Sequence, residues 1–384
     1  MNITLAAGGT GGHMTPAQAL ADELKRRGHG VMLVTDARGA AYPALFEEFP
    51  VEQLPAGRMG GGLFGMIRAF FSVLKGRKAA RELYRDFTPD VVVGFGGYPA
   101  FPALLAARAE GIPTVLHEQN AVLGRVNRLL AGKAKAVATS YKHVARLKDT
   151  SKAVHVGNPV RDEVKRLGEM PFPSFDDSAP LNILVTGGSQ GATILADVVP
   201  EGMALLEPSL RHRLNMVQQC REGDIERVRA RYAELDIPAK VTTYIEDMAS
   251  ELAEAHLFIG RAGASTIAEL TAAGRPAILV PLPIATDDHQ TANARELHEA
   301  GGGRSIPQGN FTAQELAAQV EAICSDPEAL SNAANRALGL GKPRAAEELA
   351  DLVLRVGAGD NPLPTDPVAR AVPRAKPSGM GVPA

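Results

Sequence analysis

Short apolar, β-branched runs alternate with longer stretches of helical periodicity from the start of the chain. Residues 3–6, 31–35, 91–93, 114–116, 136–139 and 153–156 read as strands. That is the rhythm of a parallel sheet with covering helices. From residue 169 to 182 the chain turns polar and gathers Pro171, Pro173, Asp176, Asp177 and Pro180, an interruption of the kind an inter-domain linker makes. The rhythm restarts with strands at 183–186, 215–217, 241–243, 257–259 and 277–280, separated by helical segments such as 226–235 and 266–273. The pattern predicts an α/β protein of two Rossmann-like, doubly wound parallel-sheet domains, at residues 1–168 and 169–343. A last helical stretch, 344–356, fits either domain by pattern and is assigned to the first. Beyond it, residues 358–384 carry six prolines and almost no apolar clustering, which predicts a disordered tail without chemistry.

A chain of 384 residues with 45% hydrophobic content has the size for two cores. Its 41 basic and 43 acidic residues leave a net charge of −2, which excludes a whole-surface attraction to nucleic acid or anionic lipid. Cys220 and Cys324 stand far apart without metal-ligand spacing, as thiols of a reducing compartment do. The first residues lack a secretory pattern, and no stretch is apolar for the ~20 residues a membrane helix needs. A cytoplasmic protein that touches a membrane only at its surface is expected.

Glycine clusters follow three strands. The first strand runs into Gly8-Gly9-Thr10-Gly11-Gly12-His13 ahead of a helix expected near Pro16, and strand 183–186 runs into Gly187-Gly188-Ser189-Gln190-Gly191-Ala192. Such turns let backbone N–H groups approach an oxygen-rich anion at a helix N-terminus. Gly94-Phe95-Gly96-Gly97-Tyr98-Pro99 is the third. Asp36 ends the second strand where a dinucleotide-binding protein keeps its ribose acid, yet G-x-G-x-x-G is not completed. Arg261-Ala262-Gly263-Ala264-Ser265 follows strand 257–259 and opens a helix, so Ala264, Ser265 and Thr266 offer backbone donors to a diphosphate, with Glu269 one turn on to accept from vicinal hydroxyls.

Residues 58–81 have another character. Leu63, Ile67, Phe70 and Leu74 repeat at helical spacing beside Phe64, Met66, Phe71 and Val73, while Arg58, Arg68, Lys75, Arg77, Lys78 and Arg81 supply the only charges. The stretch reads as an interfacial helix for anionic lipid, with a core helix whose basic ends are solvated as the alternative.

Four further segments, taken in order with these loops, resemble the MurG family of GT-B glycosyltransferases (glycosyltransferase family 28). They are His117-Glu118-Gln119-Asn120 with Gly124 and Asn127; Gly157-Asn158-Pro159-Val160-Arg161; the run from Arg261 to Glu269; and Gln290-Thr291-Ala292-Asn293-Ala294. The resemblance spans residues 2–356. It implies inverting transfer of N-acetylglucosamine from UDP-N-acetylglucosamine to the C4 hydroxyl of a lipid-linked muramoyl-pentapeptide, at the cytoplasmic face of the bacterial inner membrane. Cell-wall synthesis proteins are implied as further partners, and no cofactor.

By the same resemblance Thr10, Gly11, Gly12, Asn120, Arg161, Ser189, the run Ala264, Ser265, Thr266, Ile267, Ala268 and Glu269, and Gln290 contact the donor, with Ile245 reading uracil through its main chain. Arg161 beside Gly157 and Asn158 suits a bidentate phosphate contact. Gly9, Gly96, Gly97 and Tyr98 are expected around the acceptor pyrophosphate, although Pro99-Ala100-Phe101 departs from the family's usual continuation. No Asp-x-Asp occurs, Asp287-Asp288 being the nearest approach, so metal-free departure of UDP is expected. His13 is the first candidate base, or else a donor to the acceptor phosphate; Glu118 is the second, or else an orienting group. A non-hydrolysing UDP-N-acetylglucosamine 2-epimerase and a non-catalytic UDP-sugar-binding protein are the competing readings.

Overall fold

The computed structural model describes residues 1–9, 11–41, 46–57, 62–176, 179–188 and 191–362. The expected tail, beyond its first residues, lies outside them. In the first lobe the strands are β1 (Asn2–Ala6), β2 (Gly30–Thr35), β3 (Val51–Gln53), β4 (Val91–Gly94), β5 (Thr114–Glu118), β6 (Ala136–Thr139) and β7 (Ala153–His155). They pair in parallel in the order β3-β2-β1-β4-β5-β6-β7. The second lobe holds β8 (Leu181–Thr186), β9 (Leu214–Gln219), β10 (Ala239–Thr242), β11 (Leu257–Gly260), β12 (Ala277–Leu279) and β13 (Gly303–Ser305), again parallel, in the order β10-β9-β8-β11-β12-β13. β3 and β13 are absent from the sequence pattern because each is a three-residue edge strand, and β3 is exposed throughout.

Strand order reverses between β1 and β4 in the first sheet and between β8 and β11 in the second. Ligands of open parallel sheets bind at such switch points, outside the carboxyl ends of the strands. All four glycine-containing turns of interest leave from these four strands: after β1 and β4 in one lobe, after β8 and β11 in the other.

Helices α1 (Gly11–Arg26), α2 (Gly62–Phe87), α3 (Gly97–Ala109) and α4 (Arg125–Leu130) cover the first sheet and its rim. α1 starts at Gly11, a full turn ahead of the expected Pro16, so His13 sits in its first turn. Pro16 has no N–H to give the Gly12 carbonyl and leaves that oxygen free of its helical partner. The expected boundary at residue 168 falls too late. α5 (Asp162–Leu167) belongs to the second lobe, where Val160, Val164 and Leu167 share a core with Leu184, Phe258 and Leu270. The chain thus crosses between lobes at Gly157-Asn158-Pro159. The polar stretch read as a linker is pinned to the second lobe instead, with Arg275 and Arg213 lying 5.3 and 4.6 Å over the rings of Phe172 and Phe175. The last helix, Ala345–Gly357, returns to the first lobe and buries Leu349, Leu352 and Val353 with Ile3, Leu20 and Val91.

α2 separates its two readings by exposure. Met66, Ile67, Phe70, Phe71 and Leu74 are 41–60% exposed, while the small residues Ala69 and Ala80, with Tyr84, face the protein. A Cβ on Gly76 would stand 2.1 Å from the Pro55 carbonyl. The apolar stripe is therefore not core: the inner face was the inconspicuous one. Arg68, Lys75 and Lys78 lie exposed among these side chains, with Arg77 half-buried. Arg58 and the side chains of Leu63 and Phe64 fall outside what is described. No helix among the described residues is long and apolar enough to cross a membrane.

Candidate active site

The turns after β1 and β4 are held together by one carboxylate. Asp36, at the end of β2 and 7% exposed, accepts from the Gly9 and Gly39 amides (3.1 and 3.0 Å) and the Tyr98 hydroxyl (3.2 Å), and pairs with Arg38. A Cβ on Gly8 would stand 2.7 Å from Pro99 and 2.8 Å from Asp36, so these turns close only around glycine. Asp36 is committed to holding the loops, which removes the dinucleotide reading. Gly96, at φ 80°, caps α3 and lies with Gly97 against the His13 ring. Gly9, Gly96, Gly97, Tyr98 and His13 thus form one surface.

β5 ends in polar residues where apolar ones would be ordinary, and their hydrogen bonds explain why. Glu118, 2% exposed, accepts from the amides of Gly124 (2.8 Å) and Asn120 (3.1 Å) and from the side chains of Asn127 (2.9 Å) and Asn120 (3.3 Å). Its two oxygens are filled by the loop that follows. The expectation of Glu118 as a second base is corrected accordingly: the carboxylate has no free face for a sugar hydroxyl and acts as the tie of residues 118–127. His13 Nδ1 meets Gln119 Oε1 at 3.2 Å. Burial pushes the His13 imidazole below its ordinary value, against the opposing pull of Glu118 and of the Gln119 and Phe95 acceptors. The net shift favours the neutral imidazole.

Across the cleft, helix Ala264–Ala273 begins after β11 with Gly263 at its N-cap and no side-chain cap, leaving its first-turn amides toward the cavity. Ser265 Oγ donates to the Gly12 carbonyl at 3.4 Å, the oxygen that Pro16 leaves without a helical partner. A cavity of about 950 Å³ opens between the lobes, lined by Gly11, Gly12, His13, Gln119 and Asn120 on one side and by Gly187, Gly188, Ala264, Ser265, Thr266 and Gln290 on the other. Gln290 Oε1 accepts from the Leu282 amide at 2.9 Å and so fixes the turn in the cavity wall.

Arg161 and Glu269, read separately from the sequence, face one another at 3.2 Å. Burial pushes the Glu269 carboxyl up while Arg161 opposes the shift. The Ile245 side chain is buried with Leu252 and Phe258, which leaves only its main chain for a ligand. Ile267 is buried and Ala268 half-buried on the same helix as Glu269. Thr10 and Ser189 lie outside the described residues. Asp287, the nearest approach to a metal-binding acid pair, instead bridges Arg128 and Arg146 of the first lobe.

Sequence reasoning gave no role to Asn293, which is fully buried, accepts from the Ala121 amide (2.8 Å) and donates to Asn120 (3.1 Å) and the Ala262 carbonyl (3.2 Å). One amide thereby joins the β5 loop of one lobe to the β11 turn of the other. An asparagine on the buried face of helix His289–Glu299, together with Ala294 and Leu297, is the signal that could have found it.

The chain matches the glycosyltransferase family 28 N-terminal domain over residues 3–139 and the family's C-terminal domain over residues 182–349. It is 59% identical to the UDP-N-acetylglucosamine--N-acetylmuramyl-(pentapeptide) pyrophosphoryl-undecaprenol N-acetylglucosamine transferase of Novosphingobium aromaticivorans over 93% of this chain and 92% of that one. To the protein of the same name from Erythrobacter litoralis it is 56% identical, over 94% and 91%. The crystal structure of Acinetobacter baumannii MurG superposes with a TM-score of 0.75 at 34% identity, covering 92% of this chain and 99% of that one. A putative UDP-N-acetylglucosamine 2-epimerase from Listeria monocytogenes also superposes (TM-score 0.68, covering 94% and 98%), but at 16% identity it shares the fold alone. Two parallel-sheet lobes around one cleft, joined by these matches across both lobes, make this chain a member of the MurG family of GT-B glycosyltransferases, glycosyltransferase family 28.

Proposed function

We propose that the chain transfers N-acetylglucosamine, with inversion, from UDP-N-acetylglucosamine to the C4 hydroxyl of the muramoyl sugar of undecaprenyl-pyrophosphoryl-muramoyl-pentapeptide. The observation that carries the reading is the convergence of the glycine-containing turns after β1, β8 and β11 on one cavity, with His13 on one wall, backed by the turn after β4, and an uncapped helix N-terminus on the other. The first-turn amides of helix Ala264–Ala273 and the Arg161 guanidinium balance the charge of departing UDP. Glu269 takes the ribose hydroxyls, Gln290 the sugar and the Ile245 main chain the base; Asn120, Gly11 and Gly12 complete the donor site, to which the family resemblance also assigns Thr10 and Ser189. The turns at Gly9 and Gly96–Tyr98 receive the acceptor pyrophosphate beside His13. His13 takes the C4 hydroxyl proton as that oxygen bonds to the anomeric carbon and the carbon–phosphate oxygen bond breaks, its electron pair leaving with UDP.

Labelled UDP-N-acetylglucosamine, with and without a short-chain lipid acceptor, tests the reading. Acceptor-dependent transfer supports it; isomerisation without acceptor, or binding alone, overturns it. Glu269→Ala is expected to raise the donor KM by about tenfold or more, the cost of losing hydrogen bonds to a charged group. A variant that binds UDP as tightly as the wild type contradicts the ribose role.

The exposed face of α2 supports contact with the cytoplasmic surface of the bacterial inner membrane, since Phe70 and Phe71 stand 60% and 57% exposed among basic residues and no acid falls within residues 58–81. The double variant Phe70→Ser, Phe71→Ser is expected to weaken sedimentation with phosphatidylglycerol vesicles by about tenfold or more. Sedimentation equal to wild type, or equally strong with neutral phosphatidylcholine vesicles, counts against an anionic interface.

A further inference from the structure

Among the groups to which the proposed mechanism gives no part, a chain of hydrogen bonds runs from His13 to the crossing between the lobes. Gln119, 2% exposed, is its centre. Its Nε2 lies 3.0 Å from the Phe95 carbonyl, an oxygen that can only accept, so the side-chain amide has one orientation: nitrogen toward Phe95, oxygen toward His13. The second Nε2 hydrogen points to His117 Nδ1 at 3.0 Å. His117 is fully buried, and its Nε2 stands 3.1 Å from the Gly157 carbonyl, again an obligate acceptor. With both ends set by backbone carbonyls, every proton in the chain is assigned. His117 is protonated on Nε2 and bare on Nδ1. Gln119 Oε1 must accept, and so His13 carries its proton on Nδ1.

We infer that Gln119, backed by Phe95 and His117, is a positioning residue that holds His13 in the Nδ1–H tautomer and so presents a bare Nε2 to the acceptor hydroxyl. The inference rests on the reading of His13 as the base. An imidazole serves as base only through the nitrogen that has no proton, and a partner on the other nitrogen decides which that is. A neutral amide here does what a carboxylate does behind other imidazole bases, without adding charge. His13 Nε2 lies along Gly97, where an added Cβ would meet it at 3.5 Å, on the side of the acceptor turns. The groups around the ring are Glu118, Gln119, the Phe95 carbonyl and, from the second lobe, His289. The other end of the chain is Gly157, at φ 91°, where the backbone leaves the first lobe.

The test compares Gln119→Leu with Gln119→Glu in the full-length protein. Gln119→Leu removes the acceptor, and kcat is expected to fall at least ~10-fold with the donor KM within about twofold. Gln119→Glu keeps an acceptor for His13 but gives it a charge, so the acid limb of kcat moves to higher pH, whereas in Gln119→Leu it moves to lower pH. A merely structural loss would not move the limb in opposite directions. Nitrogen-15 NMR of histidine-labelled wild type is expected to show His13 protonated on Nδ1 and bare on Nε2, which needs no turnover. The Nε2–H tautomer, or a Gln119→Leu enzyme with wild-type kcat and pH profile, overturns the inference. Failure of the base itself looks different: His13→Ala would then retain wild-type turnover while the NMR still reports the Nδ1–H tautomer.

Discussion

His13→Ala is expected to lower kcat by ~100-fold or more while the donor KM stays within about twofold, because the role proposed for it is on a proton that moves in the transition state and not on UDP. The pH profile makes the expectation specific. Only the neutral imidazole accepts a proton, so turnover is present above its pKa and lost as pH falls through it. Burial lowers that pKa from its ordinary 6.5, which puts the acid limb of wild-type kcat/KM, the parameter that reports the free enzyme, below pH 6.5. The limb disappears in His13→Ala. If His13 instead donated to the acceptor phosphate, the charged form would be the useful one: activity would rise as pH fell, and replacement would raise the acceptor KM. Unchanged kcat, or an acid limb that survives the substitution, removes His13 from the role of base.

What could be read from the sequence divides along physical lines. The interior strands were legible because burial on both faces leaves uninterrupted apolar runs such as Val91–Gly94 and Leu257–Gly260, whereas the edge strands β3 and β13 carry three residues each and little burial signal. The glycine turns were legible one by one, since Gly8 fits where no Cβ can. The turns after β1 and β4 were brought together through the family resemblance alone; the physical reason, β1 lying next to β4 and β8 next to β11, is a matter of topology. For α2, spacing alone left two readings open. Its hydrophobic stripe has the periodicity of a core face, yet Ala69, Gly76 and Ala80 make the contact with the protein and the large side chains face out. Spacing reports that a stripe exists, not what covers it. The lobe boundary failed for a related reason: α5 carries apolar Val164 and Leu167, and only packing shows that they meet Phe258 and Leu270 of the second lobe. Glu118 and Gln119 were visible as chemistry-bearing residues, but their division of labour comes from hydrogen-bond direction, which a sequence does not contain.

Glu118 carries the second large expectation, and here stability leads. Glu118→Ala leaves the Gly124 and Asn120 amides and an Asn127 hydrogen without their buried acceptor. Each orphaned donor costs about 1–3 kcal/mol, so a total loss of roughly 3–5 kcal/mol is expected once the loop relaxes. At about 2–4 °C per kcal/mol for a lobe of this size, thermal denaturation should shift by roughly 10 °C. Glu118→Gln is the sharper variant. The carboxamide keeps one acceptor oxygen but turns an NH₂ toward groups that already donate, so Tm falls, though less than for alanine. It also withdraws the negative charge that favours the His13 imidazolium, so the acid limb of kcat moves to lower pH and does not vanish. Were Glu118 the base, Glu118→Gln would keep its Tm and lose its turnover at every pH. A measured limb that shifts while persisting assigns the proton to His13 and the loop to Glu118, and a limb that vanishes with the fold intact exchanges the two roles.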